Sequence, residues 1–337
     1  MNNIAKKTAT VFLIIVAAGY AGTLEGWKKG RGFGWVWGND DQLGAIQAIL
    51  TPDRILQALN SVTTGKVYDL GVPLDQYSYK WPGHSPTSIV SYRSPVGVKT
   101  EKDIGVFNNH PSKMAFHSCA LYISDNLGTQ IDGLGHISKG EDNHWYNGFK
   151  ESEHAGDFGL FKTDADGIPP IIGTAVMVDV AAWKGVDALP SNFPIGSKEI
   201  KATLRAQNTQ IKPGDMVFLR TGTLRYWGAN GSNHVKIGEH DSAGITLEGA
   251  AWLVEQKGVV LIGADTSGAE VGKDPARPDV ANLVHEYLLI DQGVHIGEFH
   301  NLEQLSANKV YRFLYVATTN RLKGTVAGTA MRPIAIE

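Results

Sequence analysis

The most informative part of this sequence is the glycine-rich run Gly128-Thr129-Gln130-Ile131-Asp132-Gly133-Leu134-Gly135-His136. If the chain enters this run in an extended conformation, alternate side chains share a face, so Asn126, Gln130 and Asp132 project together. The two glycines after Asp132 allow the backbone to turn and bring His136 back towards the same point. Oxygen ligands with an imidazole suit a divalent metal that polarises a carbonyl group. A purely structural turn is the alternative that spacing alone leaves open.

This run resembles the signature of a cyclase family that includes bacterial kynurenine formamidases and isatin hydrolases. In that family a His-x-Gly-Thr-His-x-Asp-x-Pro-x-His pattern carries the metal site. Four positions of this chain match the pattern: Gly128, Thr129, Asp132 and His136. Three positions depart from it, where the family has two histidines and a proline: Asn126, Gln130 and Leu134. Amide oxygens are weaker and harder donors than imidazole, so these changes favour manganese or magnesium relative to zinc.

The resemblance covers most of residues 35 to 335. Further blocks similar to the family occur in the expected order at residues 37–45, 65–71, 212–222, 262–266 and 285–302. In the family a late histidine and a glutamate complete the site, and His285 and Glu298 occupy the matching positions. The resemblance therefore implies that His285 supplies an imidazole and that Glu298 binds or orients the metal or its water. Without the resemblance, His285 would be read as an ordinary core histidine.

The function implied by the resemblance is that of a metal-dependent hydrolase acting on an amide, formamide, lactam or lactone bond of a small molecule. We expect a divalent metal, manganese or zinc, held by five side chains: Asn126, Gln130, Asp132, His285 and Glu298. His136 is expected to be the general base, because a neutral imidazole titrates in the useful range. Two alternatives stay open. One is a non-catalytic binding protein, suggested by the two missing histidines, and the other is a lyase or cyclase using the same base.

Three further positions are candidates for substrate binding. Trp81 belongs to the aromatic segment 77–84, which could stack on a planar substrate or simply pack as a loop. Thr221 follows a predicted strand, where backbone amides could hold a carboxylate or an oxyanion. Asp265 ends a predicted buried strand, a common place for functional loops in α/β sheets. The neighbouring Arg220 is expected to pair with Asp215 or Glu248.

The N-terminus has the pattern of a secretory signal peptide. Two lysines precede an apolar run over residues 8–18, and small residues follow it. We predict cleavage after Ala21, which leaves residues 22–337 as the hydrolase domain and no membrane contact after cleavage. The apolar run is short for a membrane span, so an uncleaved anchor is the less favoured alternative. A periplasmic or secreted protein would not serve a central step of cytoplasmic tryptophan catabolism, so the natural substrate is expected to be another small cyclic or aromatic compound.

The composition is that of a globular enzyme. The chain has 337 residues, 42% of them hydrophobic and 19% charged, with a formal net charge of −3 and no basic stripe, so no nucleic-acid partner is expected. Cys119 is the only cysteine, so no internal disulfide can form, and its apolar neighbours predict a buried, unreactive thiol. We expect the protein to form a homo-oligomer.

Local patterns predict a single mixed α/β domain, and the family resemblance implies the swivelling β/β/α fold. Helices are predicted over residues 53–62, 197–207 and 246–256, with Thr51 and Ser197 as caps of the first two. Strands are predicted over residues 66–71, 172–180, 216–220, 259–262 and 311–317.

Overall fold

The computed structural model describes residues 26–27, 33–34, 37–228 and 231–337. The predicted signal peptide, residues 1–21, lies outside the described residues, so its cleavage and the export of the protein stay predictions. Within the described ranges, none of the helices has both the length and the apolar character that crossing a bilayer requires.

The fold is built on one nine-stranded mixed sheet, whose strands we number in chain order. The strands are β1 (Val67–Asp69), β2 (Gln130–Asp132), β3 (Ile171–Asp179), β4 (Met216–Arg220), β5 (Leu261–Ala264), β6 (His295–Glu298), β7 (Arg312–Ala317), β8 (Ala327–Gly328) and β9 (Ile334–Ile336). Their spatial order is β1-β9-β7-β3-β4-β5-β6-β2-β8. The four central strands, β3 to β6, run parallel to one another, while all the outer pairings are antiparallel.

The central parallel strands are covered on both faces. Every residue of β4, β5 and β6 is buried. The α-helices are Pro52–Leu59, Pro95–Glu101, Glu151–His154, Val180–Lys184, Ser197–Ala206, His234–His240, Leu247–Ala251, Leu283–His285 and Glu303–Ala307. Shorter 3₁₀ turns span Gly44–Ile49, Gly105–Phe107, Tyr146–Gly148, Ala165–Gly167 and Thr223–Tyr226, and π-helical segments span Trp252–Gln256 and Glu286–Gln292.

The prediction of one mixed α/β domain is confirmed, and the element boundaries differ by a few residues. The first α-helix ends at Leu59 rather than at residue 62, and the Thr51 hydroxyl caps it by accepting a hydrogen bond from the backbone N–H of Arg54. Ser197 is the first helical residue and not the cap. Gly196 takes the cap position, and the Glu199 carboxylate accepts the Gly196 N–H at 3.1 Å.

A separate antiparallel strand pair, Ser88–Arg93 with Ser118–Tyr122, lies outside the nine-stranded sheet. Its apolar side chains include Tyr92, which is 67% exposed, and Leu121, which is 64% exposed. Cys119 lies in this strand pair and is exposed, so the prediction of a buried thiol is wrong. The apolar sequence of this segment is typical of a core strand, but among the described residues it pairs with one strand only and its side chains stay largely exposed. Three smaller strand pairs complete the fold: Ala155–Gly156 with Gly159–Leu160, Pro194–Ile195 with Gly244–Ile245, and Trp227–Gly228 with Gly231–Ser232.

Candidate metal centre

The centre begins with the pairing of β2 and β6. In this antiparallel register Gln130 lies opposite Glu298, and Asp132 lies opposite Ile296. Gln130 and Asp132 are two residues apart on one strand and therefore share a face, as the sequence predicts. The Gln130 Nε2 donates a hydrogen bond to Glu298 Oε2 at 2.6 Å and lies 3.4 Å from Asp132 Oδ1. The strand pair thus brings two buried carboxylates and a buried amide together.

Asn126 reaches the same cluster by a different route from the one predicted. The chain is not extended there, because residues 125–128 form a turn and Gly128 has φ +63°. A Cβ at Gly128 would lie 2.4 Å from Leu74 Cδ2, so only glycine fits. The Asn126 Nδ2 donates to Asp132 Oδ1 at 3.2 Å. Asn126 therefore lies beside Asp132, as predicted. The prediction of an extended segment is wrong, because a turn places Asn126 there.

His136 returns to the cluster through the predicted turn. Its backbone N–H donates to the Gly133 carbonyl at 3.0 Å. A Cβ at Gly133 would lie 2.7 Å from the Val326 carbonyl oxygen, so the close approach of the two backbones requires glycine here. His136 offers a ring nitrogen that, with one ligand atom each from Asp132 and His285, forms a group whose members lie within 4.8 Å of one another.

His285 sits at the junction between the short helix Leu283–His285 and the π-helical segment that follows it, an irregularity common at functional sites. Its Nδ1 contacts Glu270 Oε1 at 3.2 Å, while Glu270 Oε2 accepts the Val284 N–H at 2.7 Å. With Nδ1 held in this way, Nε2 faces Asp132 Oδ2 at 3.8 Å and Glu298 Oε1 at 3.6 Å. A carboxylate behind a histidine is the arrangement that orients metal-binding imidazoles.

Glu270 was missed by the sequence interpretation. Its only signal was its position a few residues beyond the buried strand β5, and nothing in the local sequence links it to His285. The tertiary structure makes the link through the Glu270 carboxylate, which contacts both Val284 N–H and His285 Nδ1.

The charges of the cluster strongly affect one another. Burial, together with the negative charge of Asp132, raises the pKa of Glu298 well above its usual range. Burial lowers the pKa of His285, but its contacts with Glu270 and Glu298 outweigh that effect and raise the pKa well above the ordinary histidine value. The imidazolium therefore supplies the positive charge that the two carboxylates need in a dry interior. A divalent cation at this position would meet the same need.

The residues present fit a divalent metal. Four side-chain atoms of the cluster are buried without a hydrogen-bond partner: Gln130 Oε1, Asp132 Oδ2, His136 Nδ1 and His285 Nδ1. The last of these lies 3.2 Å from the Glu270 carboxylate, within ion-pair distance. Gln130 and Asp132 have no solvent exposure at all. Leaving a buried polar atom unpaired costs about 1–3 kcal/mol, so such atoms rarely converge without a ligand. Carboxylate, amide oxygen and imidazole are all ligand types of first-row divalent metals.

Two of the three predicted substrate-binding residues hydrogen-bond to each other. The Asp265 carboxylate accepts hydrogen bonds from the Thr221 N–H at 2.8 Å, from the Thr221 hydroxyl at 2.7 Å and from the Gly222 N–H at 2.8 Å. Both side chains have no solvent exposure. Burial raises the pKa of Asp265 to about 6, although its hydrogen bonds with Thr221 oppose the rise. This arrangement closes the loop after β4, and it leaves no free carboxylate oxygen for a substrate.

Arg220 does not pair with Asp215 or Glu248, so that prediction is wrong. Arg220 ends β4 beside Asp179, the last residue of β3, and its guanidinium contacts Asp179 Oδ1 at 2.9 Å and Glu303 Oε1 at 2.8 Å. Asp215 lies at the opposite end of β4 and pairs with Arg312 at 2.6 Å. The register of the parallel strands, which the sequence does not reveal, decides these partners.

The segment that carries Trp81 lies at the edge of the centre. Trp81 is 54% exposed, and its ring contacts His84 edge-on with centroids 5.6 Å apart. Burial and the positive charge of His136 lower the pKa of His84, while the carboxylates of Asp132 and Asp125 oppose the change. His84 is thus within electrostatic reach of the cluster, a role that its place in the aromatic segment did not reveal.

The segment 77–84 is anchored by Tyr79, whose hydroxyl donates a hydrogen bond to Asp241 Oδ2 at 3.3 Å. Asp241 also accepts the Ser267 N–H at 2.8 Å. An open groove of about 850 Å³ lies between this segment and residues 232–234. The groove is lined by aromatic, hydroxyl and basic groups, and the residues of the metal cluster are not among its lining.

The comparisons with known proteins place the chain in a family. The sequence profile described as "Putative cyclase" matches residues 68–271, which is more than half of the chain. The protein therefore belongs to this cyclase family, as the sequence motifs indicate. No curated protein sequence matches the chain significantly.

Solved structures with a similar fold include the crystal structure of a novel cyclase, with a TM-score of 0.75 and 27% identity over 89% of this chain and 96% of that chain. Isatin hydrolase A from Ralstonia solanacearum has a TM-score of 0.58 and 18% identity over 86% of this chain and 99% of its own. Isatin hydrolase A from Labrenzia aggregata, bound to benzyl benzoate, has a TM-score of 0.55 and 18% identity over 84% and 98%. At these lower identities the two hydrolases establish the likeness of the fold alone.

Proposed function

We propose that this protein is a metal-dependent hydrolase that cleaves a C–N or C–O bond next to a carbonyl group in a small molecule, such as a formamide, a lactam or a lactone. The observation that carries this proposal is that ligand atoms of Asp132, His136 and His285 lie within 4.8 Å of one another, in a cluster with buried polar atoms that lack hydrogen-bond partners. The family membership and the fold shared with isatin hydrolases support it.

In this proposal the buried side chains of Asp132, Gln130 and His285 hold the metal, with Glu298 beside them. The metal, when bound, supplies a Lewis acid for the carbonyl group and lowers the pKa of an attacking water. Glu270 orients His285 through Nδ1, so that Nε2 points into the cluster. His136 is half-buried while the others are buried, which puts its ring on the accessible side. There it would take a proton from the attacking water and return it to the leaving nitrogen or oxygen.

Elemental analysis of the purified protein tests this proposal directly. We expect the wild type to retain manganese or zinc and the Asp132→Ala variant to lose it. Asp187→Ala is a suitable control, because Asp187 is a highly exposed carboxylate that pairs with Arg225 on the surface. If neither the wild type nor the control retains metal after incubation with excess ion, the proposed function is refuted.

A second candidate is a non-catalytic binding protein on the same scaffold. The specific observation in its favour is that the amide nitrogens of Asn126 and Gln130 are directed at carboxylates. The His136→Ala variant separates the two candidates in assays with isatin and an aryl formamide. An enzyme should lose its turnover rate while the exposed-site control His117→Ala keeps it, whereas a binding protein should show no turnover in any form and unchanged ligand affinity.

A further inference from the structure

We propose that Asn126 and Gln130 restrict this centre to a single divalent cation. This inference rests on the proposed function, because it concerns the metal that the hydrolase would use. The inference is based on the orientation of the two side-chain amides, whose N–H groups donate hydrogen bonds to the carboxylates of the cluster.

In each of the two carboxylates, one oxygen already accepts hydrogen bonds from side-chain amides. Asp132 Oδ1 lies within hydrogen-bond distance of two amide nitrogens, at 3.2 Å from Asn126 Nδ2 and 3.4 Å from Gln130 Nε2. Glu298 Oε2 accepts the shorter hydrogen bond from Gln130 Nε2 at 2.6 Å. Each carboxylate therefore presents only one oxygen, Oδ2 of Asp132 and Oε1 of Glu298, to a metal.

The amide of Gln130 keeps this orientation when Glu298 is ionised, the form in which Glu298 would bind a metal. A flipped Gln130 would then place its carbonyl oxygen 2.6 Å from an ionised carboxylate oxygen, and two acceptors at that distance repel each other. In the orientation found, Gln130 Oε1 is the atom left buried without a partner. The amide therefore contributes one oxygen to the cluster and blocks one oxygen of Glu298.

The donor atoms that stay free converge on one position. His285 Nε2 lies 3.8 Å from Asp132 Oδ2 and 3.6 Å from Glu298 Oε1. Metal–ligand bonds of about 2.0–2.3 Å place neighbouring ligands roughly 3–4 Å apart around one ion. Paired ions sit about 3.5–4 Å apart and need their own shared and separate ligands. The oxygens that a second ion would use, Asp132 Oδ1 and Glu298 Oε2, already accept N–H groups.

The experiment is metal stoichiometry on the full-length folded protein. The wild type is loaded with excess Mn²⁺ or Zn²⁺, freed of unbound ion by gel filtration, and its metal content is measured against protein concentration. We expect one equivalent. Two equivalents in the wild type would overturn this inference and leave the proposed function intact, whereas no metal at all would overturn both.

Two variants test whether the amides set this limit. Gln130→His removes the N–H donor from Glu298 and adds an imidazole, and we expect its metal content to rise from one equivalent towards two, most clearly when it is combined with Asn126→His. Gln210→His adds an imidazole at an exposed position and should stay at one equivalent. If the double variant is folded, as judged by circular dichroism, and still binds one equivalent, the inference is wrong. If the variants do not fold, the metal content of the wild type alone tests whether the centre holds a single cation.

Discussion

A substitution at Glu270 tests whether this carboxylate strengthens metal binding by orienting His285. The Glu270→Gln substitution keeps an oxygen that can accept the Val284 N–H, but it removes the negative charge that faces His285 Nδ1 at 3.2 Å. Without that charge the imidazole is less basic and less firmly oriented. Removing such a supporting carboxylate lowers metal affinity about 10–100-fold, which corresponds to about 1.4–2.7 kcal/mol.

The assay is a competition titration in which a coloured chelator and the protein compete for Zn²⁺ or Mn²⁺ at fixed pH. Glu303→Gln is the matched control, because Glu303 is also a partly buried carboxylate in an ion pair, but its partner is Arg220. We expect the control to lose stability and to keep the wild-type metal affinity. Unchanged affinity in Glu270→Gln, in a protein that Asp132→Ala empties of metal, would refute the reasoning that Glu270 acts through His285.

Three further predictions concern pH, reactivity and stability. The pKa values of His285 and Glu298 are both raised by folding, so the metal-free protein should lose stability as pH rises, from about 4.5 for Glu298 and from about 6.5 for His285, towards their higher folded-state pKa values, and added metal should abolish this trend in thermal melts with and without EDTA. Cys119 is exposed, so a thiol reagent should titrate one thiol in the native protein at a rate close to that in denaturant, and full protection would contradict the exposure of its strand. Gly128→Ala should lower the free energy of unfolding by about 1–3 kcal/mol in urea titrations, because φ is +63° and the new Cβ would meet Leu74; an unchanged midpoint would show that the turn adapts freely.

The sequence predicted those features of the site that depend on short-range geometry. The spacing of Gln130 and Asp132 follows from the two-residue period of a strand, and the position of His136 follows from the glycines before it. The placement of Asn126 was predicted for the wrong reason, because glycine permits both an extended and a left-handed conformation and the sequence does not decide which of them Gly128 adopts.

Features that depend on strand order and on which faces are covered could not be predicted. Glu270 meets His285 only because the segment after β5 is pinned beside the helix before β6, and no local pattern encodes that contact. Arg220 finds Asp179 through the register of two parallel strands. Cys119 lies in a sequence typical of a core strand, and only the tertiary structure shows that its strand pairs outside the main sheet and leaves the thiol exposed.

The pairing of β2 with β6 has a consequence for how this protein matures. Gln130 and Glu298 are separated by 168 positions in the chain, yet their contact closes the metal centre. Contacts between such distant segments form late, since the long intervening loop must first be ordered. A growing chain therefore cannot hold the ion with this set of ligands until β6 has been made and docked. Acquisition of the metal would then follow the docking of β6 against β2, and a cell or an experimenter could use bound metal as a report that this long-range pairing has formed.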